Sequence, residues 1–457
     1  MKVQDINIGV KLNGFKHIFV KKRLSPWKKY NRFLSDSQWW SKGDLLDYQQ
    51  QAFKRLIERV YEHVPYYRGA MQIFNVKPDD IRSLQDLSLM PFVEKEMVRR
   101  NPGQFLSTKS FAPVLYKCHT SGTTGTPLTL YRDLRNIGFE YAMLSRQRQW
   151  AGLSEGDRYA TLKGELLPVR SLAAKKFCAW NGAENKLVMS SYHISAQTFR
   201  EYVHALTRYK VVALDGYPSS IYALAAFMLD RGMVLPMKAI LTSSETLVPE
   251  HKKIIEQAFA CRVFDYYGMA ERIAAIHTCE HGSYHIVPEY SIVELVRSSQ
   301  VGDGFFEIVG TALNNNAMPL IRYRVGDIAE TLDKACPCGR HYPVLKGIVG
   351  RTDDSIITPN GKIIGRLDHI YKGTHHLRQA QIYQPEQDRV IVRIVADEAF
   401  SERDGDIVLE KLYHRLGDGI RLEIERVPYI TRTPRGKIKS VISEVAAWND
   451  HPLIERS

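Results

Sequence analysis

The chain has no run near the roughly 18 consecutive apolar residues of a membrane-spanning helix, which excludes an integral helical membrane protein. It also lacks the apolar core of a secretory signal: MKVQDINIGVKLNGF carries Asp5 and Lys11 where that core belongs. Its six cysteines, Cys118, Cys178, Cys261, Cys279, Cys336 and Cys338, are too few for a disulfide scaffold. With no export signal, reduced thiols or metal ligands in a cytoplasmic protein are expected. Internal repeats and low-complexity tracts are missing, and no zinc-finger, helix-turn-helix or RNA-binding motif accompanies the positive charge, which argues against a nucleic-acid partner.

What is present is ordinary for a globular protein: 457 residues, 44% hydrophobic and 25% charged. That length suggests about three domain-sized units. The net charge of +13 is uneven, because residues 1–32 hold nine bases against Asp5 alone. This basic stretch reads either as a solvated surface or as a patch attracted to an anionic substrate or the inner face of a membrane.

Along the chain, Leu56, Ile57, Val60, Tyr61 and Val64 recur at helical spacing within 45–68, a helix stopped by Pro65. Residues 111–131 read as strand, Gly/Thr-rich loop, strand. From 134 to about 290, helical patterns (ISAQTFREYVHALTRY, SSIYALAAFMLDRGM) alternate with short apolar runs (VVALDGY, MKAILTSS, RVFDYYG), as in an α/β fold with a buried sheet. Residues 291–332 carry strands without long helices and suggest a β-rich subdomain. From about 350 onward a hairpin, a helix (GDIVLEKLYHRLGDG) and a further strand (IRLEIERVPYI) read as a separate small α+β unit.

The segment Thr120-Ser121-Gly122-Thr123-Thr124-Gly125-Thr126-Pro127 is the strongest chemical signal. Glycines bring backbone N–H groups close to an anion and the hydroxyls add donors, so the stretch suits phosphates. It lacks the GK[ST] ending of a Walker A loop. Alone it reads as an ordinary loop, but four blocks follow in order. These are Tyr266-Tyr267-Gly268-Met269-Ala270-Glu271, Arg322-Tyr323-Arg324-Val325-Gly326-Asp327, Gly350-Arg351-Thr352-Asp353-Asp354 and Arg432-Thr433-Pro434-Arg435-Gly436-Lys437-Ile438.

Together the five blocks resemble the adenylate-forming superfamily of acyl-CoA synthetases and peptide-synthetase adenylation domains, from about residue 50 to the C-terminus. Within it, RLIERVYEHVPYYR (55–68), GYPSSIYALA (216–225), SSETL (243–247) and CPCGR (336–340) are most similar to the phenylacetate–CoA ligase family, in particular its capsular-polysaccharide branch. One departure is Leu128, where many superfamily members carry a lysine.

The resemblance implies an α/β fold: a large N-terminal domain with sheets flanked by helices and a β-rich subdomain, plus a small mobile α+β C-terminal domain. The expected boundaries are a basic segment at 1–45, the AMP-binding domain at 46–349, a hinge at 350–353 and the lid at 354–457. It further implies that Thr120, Ser121, Gly122, Thr123, Thr124 and Gly125 clamp the ATP phosphates. Ser243, Ser244 and Glu245 would line the adenine pocket, with Tyr267, followed by Gly268 and Met269, stacking on the base. Glu271 would hold Mg2+. Asp327 would accept the ribose hydroxyls, Arg351 would lie beside the ribose, and Asp353 would be the hinge. Lys437 would stabilise transition-state charge at the α-phosphate. His193 and Tyr217 fall where the family places its carboxylate pocket, and each reads equally as a packed core residue.

Cys279 and His285 with Cys336-x-Cys338 supply four ligands of the type that tetrahedral Zn2+ prefers, with His277 and His281 as competing candidates. Similar Cys/His sets in the phenylacetate–CoA ligase family favour a structural zinc, whereas Cys118, Cys178 and Cys261 read as core. The expected activity is ATP-dependent adenylation of a small carboxylic acid, followed by acyl transfer to CoA or to an amine. The alternatives are an amide-forming ligase acting on a uronic acid or sugar nucleotide, and a catalytically silent scaffold. Retention of Asp327, Glu271 and Lys437 together speaks against the silent copy.

Overall fold

The computed structural model describes residues 25–110, 115–119, 128–165, 167, 177–297, 304–332, 334–351, 356–359, 363–364, 367–371, 374, 376–432 and 438–445. The expectations placed on the start of the basic segment, on Thr120 to Gly125, on Asp353 and on Lys437 therefore lie outside the described residues.

Helices Trp27–Ser37 (α1), Lys42–His63 (α2), Pro65–Ile73 (α3) and Lys95–Arg100 (α4) open the chain. Ser41 starts α2 through a capping box: its Oγ accepts from the Asp44 N–H at 3.1 Å, and the Asp44 carboxylate accepts from the Ser41 N–H at 3.2 Å. Phe53, Leu56, Ile57 and Val60 form its buried stripe. Burying each such side chain contributes about 1.5–3 kcal/mol. Pro65 ends α2 as its pattern requires, yet it also begins α3, where proline lacks only an N–H that a first turn leaves unused. The helix expected to stop at Pro65 does so, and a second helix starts at that proline.

Strands Tyr116–His119 (β1) and Thr129–Arg132 (β2) pair antiparallel on either side of the Gly/Thr-rich segment. Helix Leu134–Trp150 (α5), capped by the Asp133 carboxylate, leads into Tyr159–Lys163 (β3), Cys178–Asn181 (β4) and Lys186–Ser190 (β5). Then strands and helices alternate: Phe199–Arg208 (α6), Ala213–Gly216 (β6), Pro218–Leu229 (α7), Ala239–Ser243 (β7), Pro249–Phe259 (α8) and Val263–Gly268 (β8). Strands β5, β3, β6, β7 and β8 run parallel in that spatial order, so all their carboxyl ends lie along one edge.

Ala275–Thr278 (β9), Tyr284–Ile286 (β10), Ser291–Val296 (β11), Phe305–Ala312 (β12), Tyr323–Thr331 (β13) and Val344–Arg351 (β14) follow. These antiparallel strands are the β-rich part expected from the sequence, but they do not split away. Through the β8–β9 pairing they continue one 12-stranded sheet, ordered β11-β12-β13-β14-β10-β9-β8-β7-β6-β3-β5-β4. Register shifts between Glu307 and Val309, Ile328 and Ala329, and Glu330 and Thr331 mark bulges, which bend a sheet and increase its twist.

The last part comprises Ile356–Ile357 (β15), Ile363–Ile364 (β16), Leu377–Glu386 (β17), Arg389–Ala396 (β18), Glu402–Leu416 (α9), Arg421–Arg426 (β19) and Val441–Ser443 (β20). Its sheet, ordered β19-β18-β17-β20, encloses a core of its own from Ile382, Val390, Val392, Ile394, Val408 and Leu412.

One buried ion pair fastens α1 to the large sheet. Arg146 on α5 is fully buried and donates to Glu289 at 2.8 Å, to the Tyr342 hydroxyl at 2.6 Å and to the Leu34 carbonyl at 3.2 Å. Ser37, the last residue of α1, donates to the same Glu289 oxygen at 2.6 Å. Removing one partner of such a pair strands the other charge out of water, at about 3–5 kcal/mol. Glu289→Ala should therefore lower the large unit's unfolding free energy by that amount, read as a fall in the midpoint of its urea transition; an unchanged midpoint would show that the pair is not what holds α1.

Candidate active site

Four of the expected site residues stand along the carboxyl edge of the parallel strands, where open α/β sheets bind ligands. His193 follows β5, Tyr217 follows β6, Ser243 ends β7 and Tyr267 precedes the last residue of β8. The register sets Gly216 beside Thr242 and Ser243 beside Tyr266. His193 accepts or donates through Nδ1 to the Ser190 hydroxyl at 2.7 Å and stacks on Phe177 with ring centroids 5.0 Å apart. Tyr217 is buried and donates its N–H to the Leu162 carbonyl at 3.2 Å. Ser244 leaves the strand with φ of +73°, a left-handed turn that carries the chain out of the sheet.

The segment carrying Tyr267 and Glu271 is held from both sides by one carboxylate. Tyr266 donates to Glu140 Oε1 at 3.1 Å, Tyr290 donates to Oε2 at 2.6 Å, and Arg272 Nε lies 3.5 Å from Oε2. Arg272, at φ +56°, also reaches the Asn136 side-chain oxygen at 2.6 Å. Between these anchors, the Tyr267 hydroxyl donates to Asp327 Oδ2 at 2.7 Å and the Tyr323 hydroxyl donates to Glu271 at 3.4 Å. Asp327 lies opposite Arg351 across β13 and β14, and Gly326 and Gly350 take φ of +76° and +126° at that crossing. The bent sheet thus brings β13 back to β8 although four strand pairings separate them.

Glu245 has both carboxylate oxygens engaged by backbone N–H groups. Its Oε2 accepts the Ser219 N–H at 3.0 Å, in the first turn of α7, and its Oε1 accepts the Ile438 N–H at 3.1 Å. Burial pushes its carboxyl above the ordinary range, against the pull of those N–H groups and the Arg432 charge. Its oxygens thereby bridge the two units of the chain.

Cys279, His285, Cys336 and Cys338 converge, with one potential ligand atom from each lying within 4.8 Å of the others. The Cys279 and Cys336 sulfurs are 3.5 Å apart, as are Cys338 Sγ and His285 Nε2. Tetrahedral zinc, with bonds of about 2.3 Å to sulfur and about 2.0 Å to nitrogen, spaces its ligands by roughly 3.5–3.8 Å, so the set fits. Burial lowers the His285 pKa to about 4, leaving a neutral imidazole. His281 contributes its backbone N–H to Cys279 Sγ at 3.3 Å, and the His277 ring packs against Tyr266 and Trp150. Neither competing histidine joins the four.

Residues 356–444 match the family described as the CapK C-terminal domain. Protein CapK of Staphylococcus aureus is 24% identical over 415 residues, covering 88% of this chain and 90% of that protein. Phenylacetate-coenzyme A ligase of Thermus thermophilus is 26% identical over 68% of this chain and 71% of its own length. 2-Hydroxyisobutyryl-CoA ligase in its postadenylation state, with 2-HIB-AMP bound, superposes with a TM-score of 0.69 at 21% identity, over 90% of this chain and 93% of that one. The chain is thus similar to adenylate-forming ligases, to protein CapK and phenylacetate-coenzyme A ligase among them. Its fold is that of the superposed ligase: a large α/β unit followed by a C-terminal domain.

The buried groups around the site are what a single sequence hides. Glu140 and Arg272 announce themselves by no motif; Arg272 is marked only by following Glu271. Gly268 has a reason visible in the structure alone: a Cβ there would fall 2.1 Å from the Tyr266 hydroxyl and 2.4 Å from its ring. Gly268→Ala must push the Tyr266 ring off Glu140. It should destabilise the large unit by about 1–3 kcal/mol and weaken ATP binding, measured by denaturation and by calorimetric titration; wild-type values in both would remove Tyr266 as the brace of this segment.

Proposed function

We propose that the protein is an AMP-forming ligase that adenylates a small carboxylic acid and passes the acyl group to a thiol or an amine. The observation that carries this reading is the meeting of three distant blocks: Tyr267 on Asp327, Tyr323 on Glu271, and Asp327 opposite Arg351. A carboxylate with two oxygens suits a ribose diol, and a tyrosine in the same cleft suits an adenine face. Ser243 and Ser244, at the end of β7, would lie beside the base, and His193 and Tyr217 beside the acid.

In the first step an oxygen of the acid attacks the α-phosphorus of ATP and pyrophosphate leaves. A magnesium ion held by Glu271 would supply neutralising charge to the phosphates. Thr120 to Gly125 would hold those phosphates, and Lys437 would stabilise charge at the reacting centre. In the second step the acceptor attacks the acyl carbonyl and AMP leaves. CoA is the acceptor we favour, since CoA ligases stand among the relatives of matching length. The capsular branch supports a place in polysaccharide assembly. There a cytoplasmic enzyme with nine bases in residues 1–32 would be drawn to an anionic sugar nucleotide or membrane face. The units would divide at 350–353, with Asp353 as the hinge and residues 354–457 as the lid.

Lys437→Ala should cut acid-dependent pyrophosphate release by about 10²–10³-fold or more while ATP still binds; wild-type release in that variant would remove Lys437 from the reaction. Among the described residues, Cys279, His285, Cys336 and Cys338 would hold a structural zinc, tying the β9–β10 hairpin to the segment before β14. Metal analysis of protein purified without chelator should return about one zinc per chain. Cys338→Ser should lose the metal and lower the thermal midpoint. Zinc-free wild-type protein of full stability would exclude the site.

A further inference from the structure

Helix α7, with the residues around it, is where the C-terminal unit rests on the large one. Arg432 and Ile438 pair as an isolated antiparallel bridge, two stems that flank Lys437 in the sequence. Each stem is gripped by the large unit at the same end of α7. Arg432 Nη1 donates to Ser220 Oγ at 3.2 Å, and the Ile438 N–H donates to Glu245, which in turn caps α7 through the Ser219 N–H. At the far end of the helix, Arg378 on β17 pairs with Asp230 at 2.5 Å and lies over the Phe227 ring, 5.8 Å from its centroid. Arg378 also reaches Asp397 of its own unit at 3.2 Å. Between the two ends, the Tyr222 hydroxyl donates to the Leu377 carbonyl at 3.3 Å.

We infer that α7 with Glu245 is a latch that holds the C-terminal unit, at Arg432 and Ile438, in the adenylating pose, and that Asp230 and Arg378 are positioning residues that set how long the latch stays shut. This rests on the ligase reading above. Four polar contacts along one helix orient a domain in a way that one surface contact does not. All four are made to groups of the C-terminal unit, so a rotation of that unit must break them together. The buried Glu245 carboxylate makes the dock selective: without the Ile438 N–H one of its oxygens must find water. The Asp230–Arg378 pair is half exposed, so its contribution is small and adjustable, which suits an equilibrium between two poses.

The pair can be tested by charge reversal far from the chemistry. D230R and R378D each place like charges across the dock, and the double variant D230R/R378D restores an attractive pair. Hydrogen exchange is followed by mass spectrometry on the full chain, at overlapping peptides that begin several residues before Ile438 and differ in whether they include it. Protection of its amide in the wild type, a roughly two- to fivefold faster exchange in each single variant and recovery in the double variant are expected. Kinetically, each single variant should lower pyrophosphate formation relative to acyl transfer from supplied acyl-AMP to CoA by a similar factor, with the double variant again near wild type. Wild-type exchange rates in the single variants, no recovery in the double variant, or an equal fall in both half-reactions would overturn the latch. If the wild type adenylates no acid, the ligase reading fails, and the exchange result alone still decides whether the dock exists.

Discussion

A buried carboxylate, that of Glu140, determines where everything at this site can stand. It accepts from Tyr266 before the Tyr267–Glu271 segment and from Tyr290, and it faces Arg272 just after that segment. A buried carboxylate costs several kcal/mol unless its oxygens are satisfied. Its partners are therefore not free to move singly, and the segment they bracket is preorganised. Tyr267 then faces Asp327, and Glu271 faces Tyr323, with no further adjustment.

That brace works only because one sheet serves both halves of the large unit. The parallel strands supply an edge of carboxyl ends, and the bulged antiparallel strands bring Asp327 and Arg351 back across it. A nucleotide site assembled this way draws on residues more than 80 positions apart. The C-terminal unit has its own core and meets the large one through polar contacts, an arrangement suited to a unit that changes partners.

Much of this was legible in the sequence, for definable reasons. Strand–helix alternation from 134 to 268 and the period-2 runs of β17 and β18 follow hydrophobic patterning, which burial imposes directly. The blocks around Tyr267, Glu271 and Asp327 were legible as motifs, and the structure brings them together. The Cys279, His285, Cys336 and Cys338 set was legible because thiols and imidazoles are sparse enough to count. The hidden parts were those decided by tertiary packing. Pro65 reads as a stop, although it also starts the next helix. The contacts of Glu245 with Ser219 and Ile438, the latter nearly 200 positions away, leave no local mark in the sequence. Residues 291–332 read as a subdomain because nothing local reveals that β9 pairs with β8.

The account turns on whether the acid is activated as an acyl-adenylate before any acceptor is present. Exchange of labelled pyrophosphate into ATP, measured across a panel of carboxylic acids with neither CoA nor amine added, reads that step alone. The site described here predicts exchange that depends on one class of acid and needs no acceptor. Exchange that appears only with an acceptor, or release of ADP and orthophosphate instead, would contradict it.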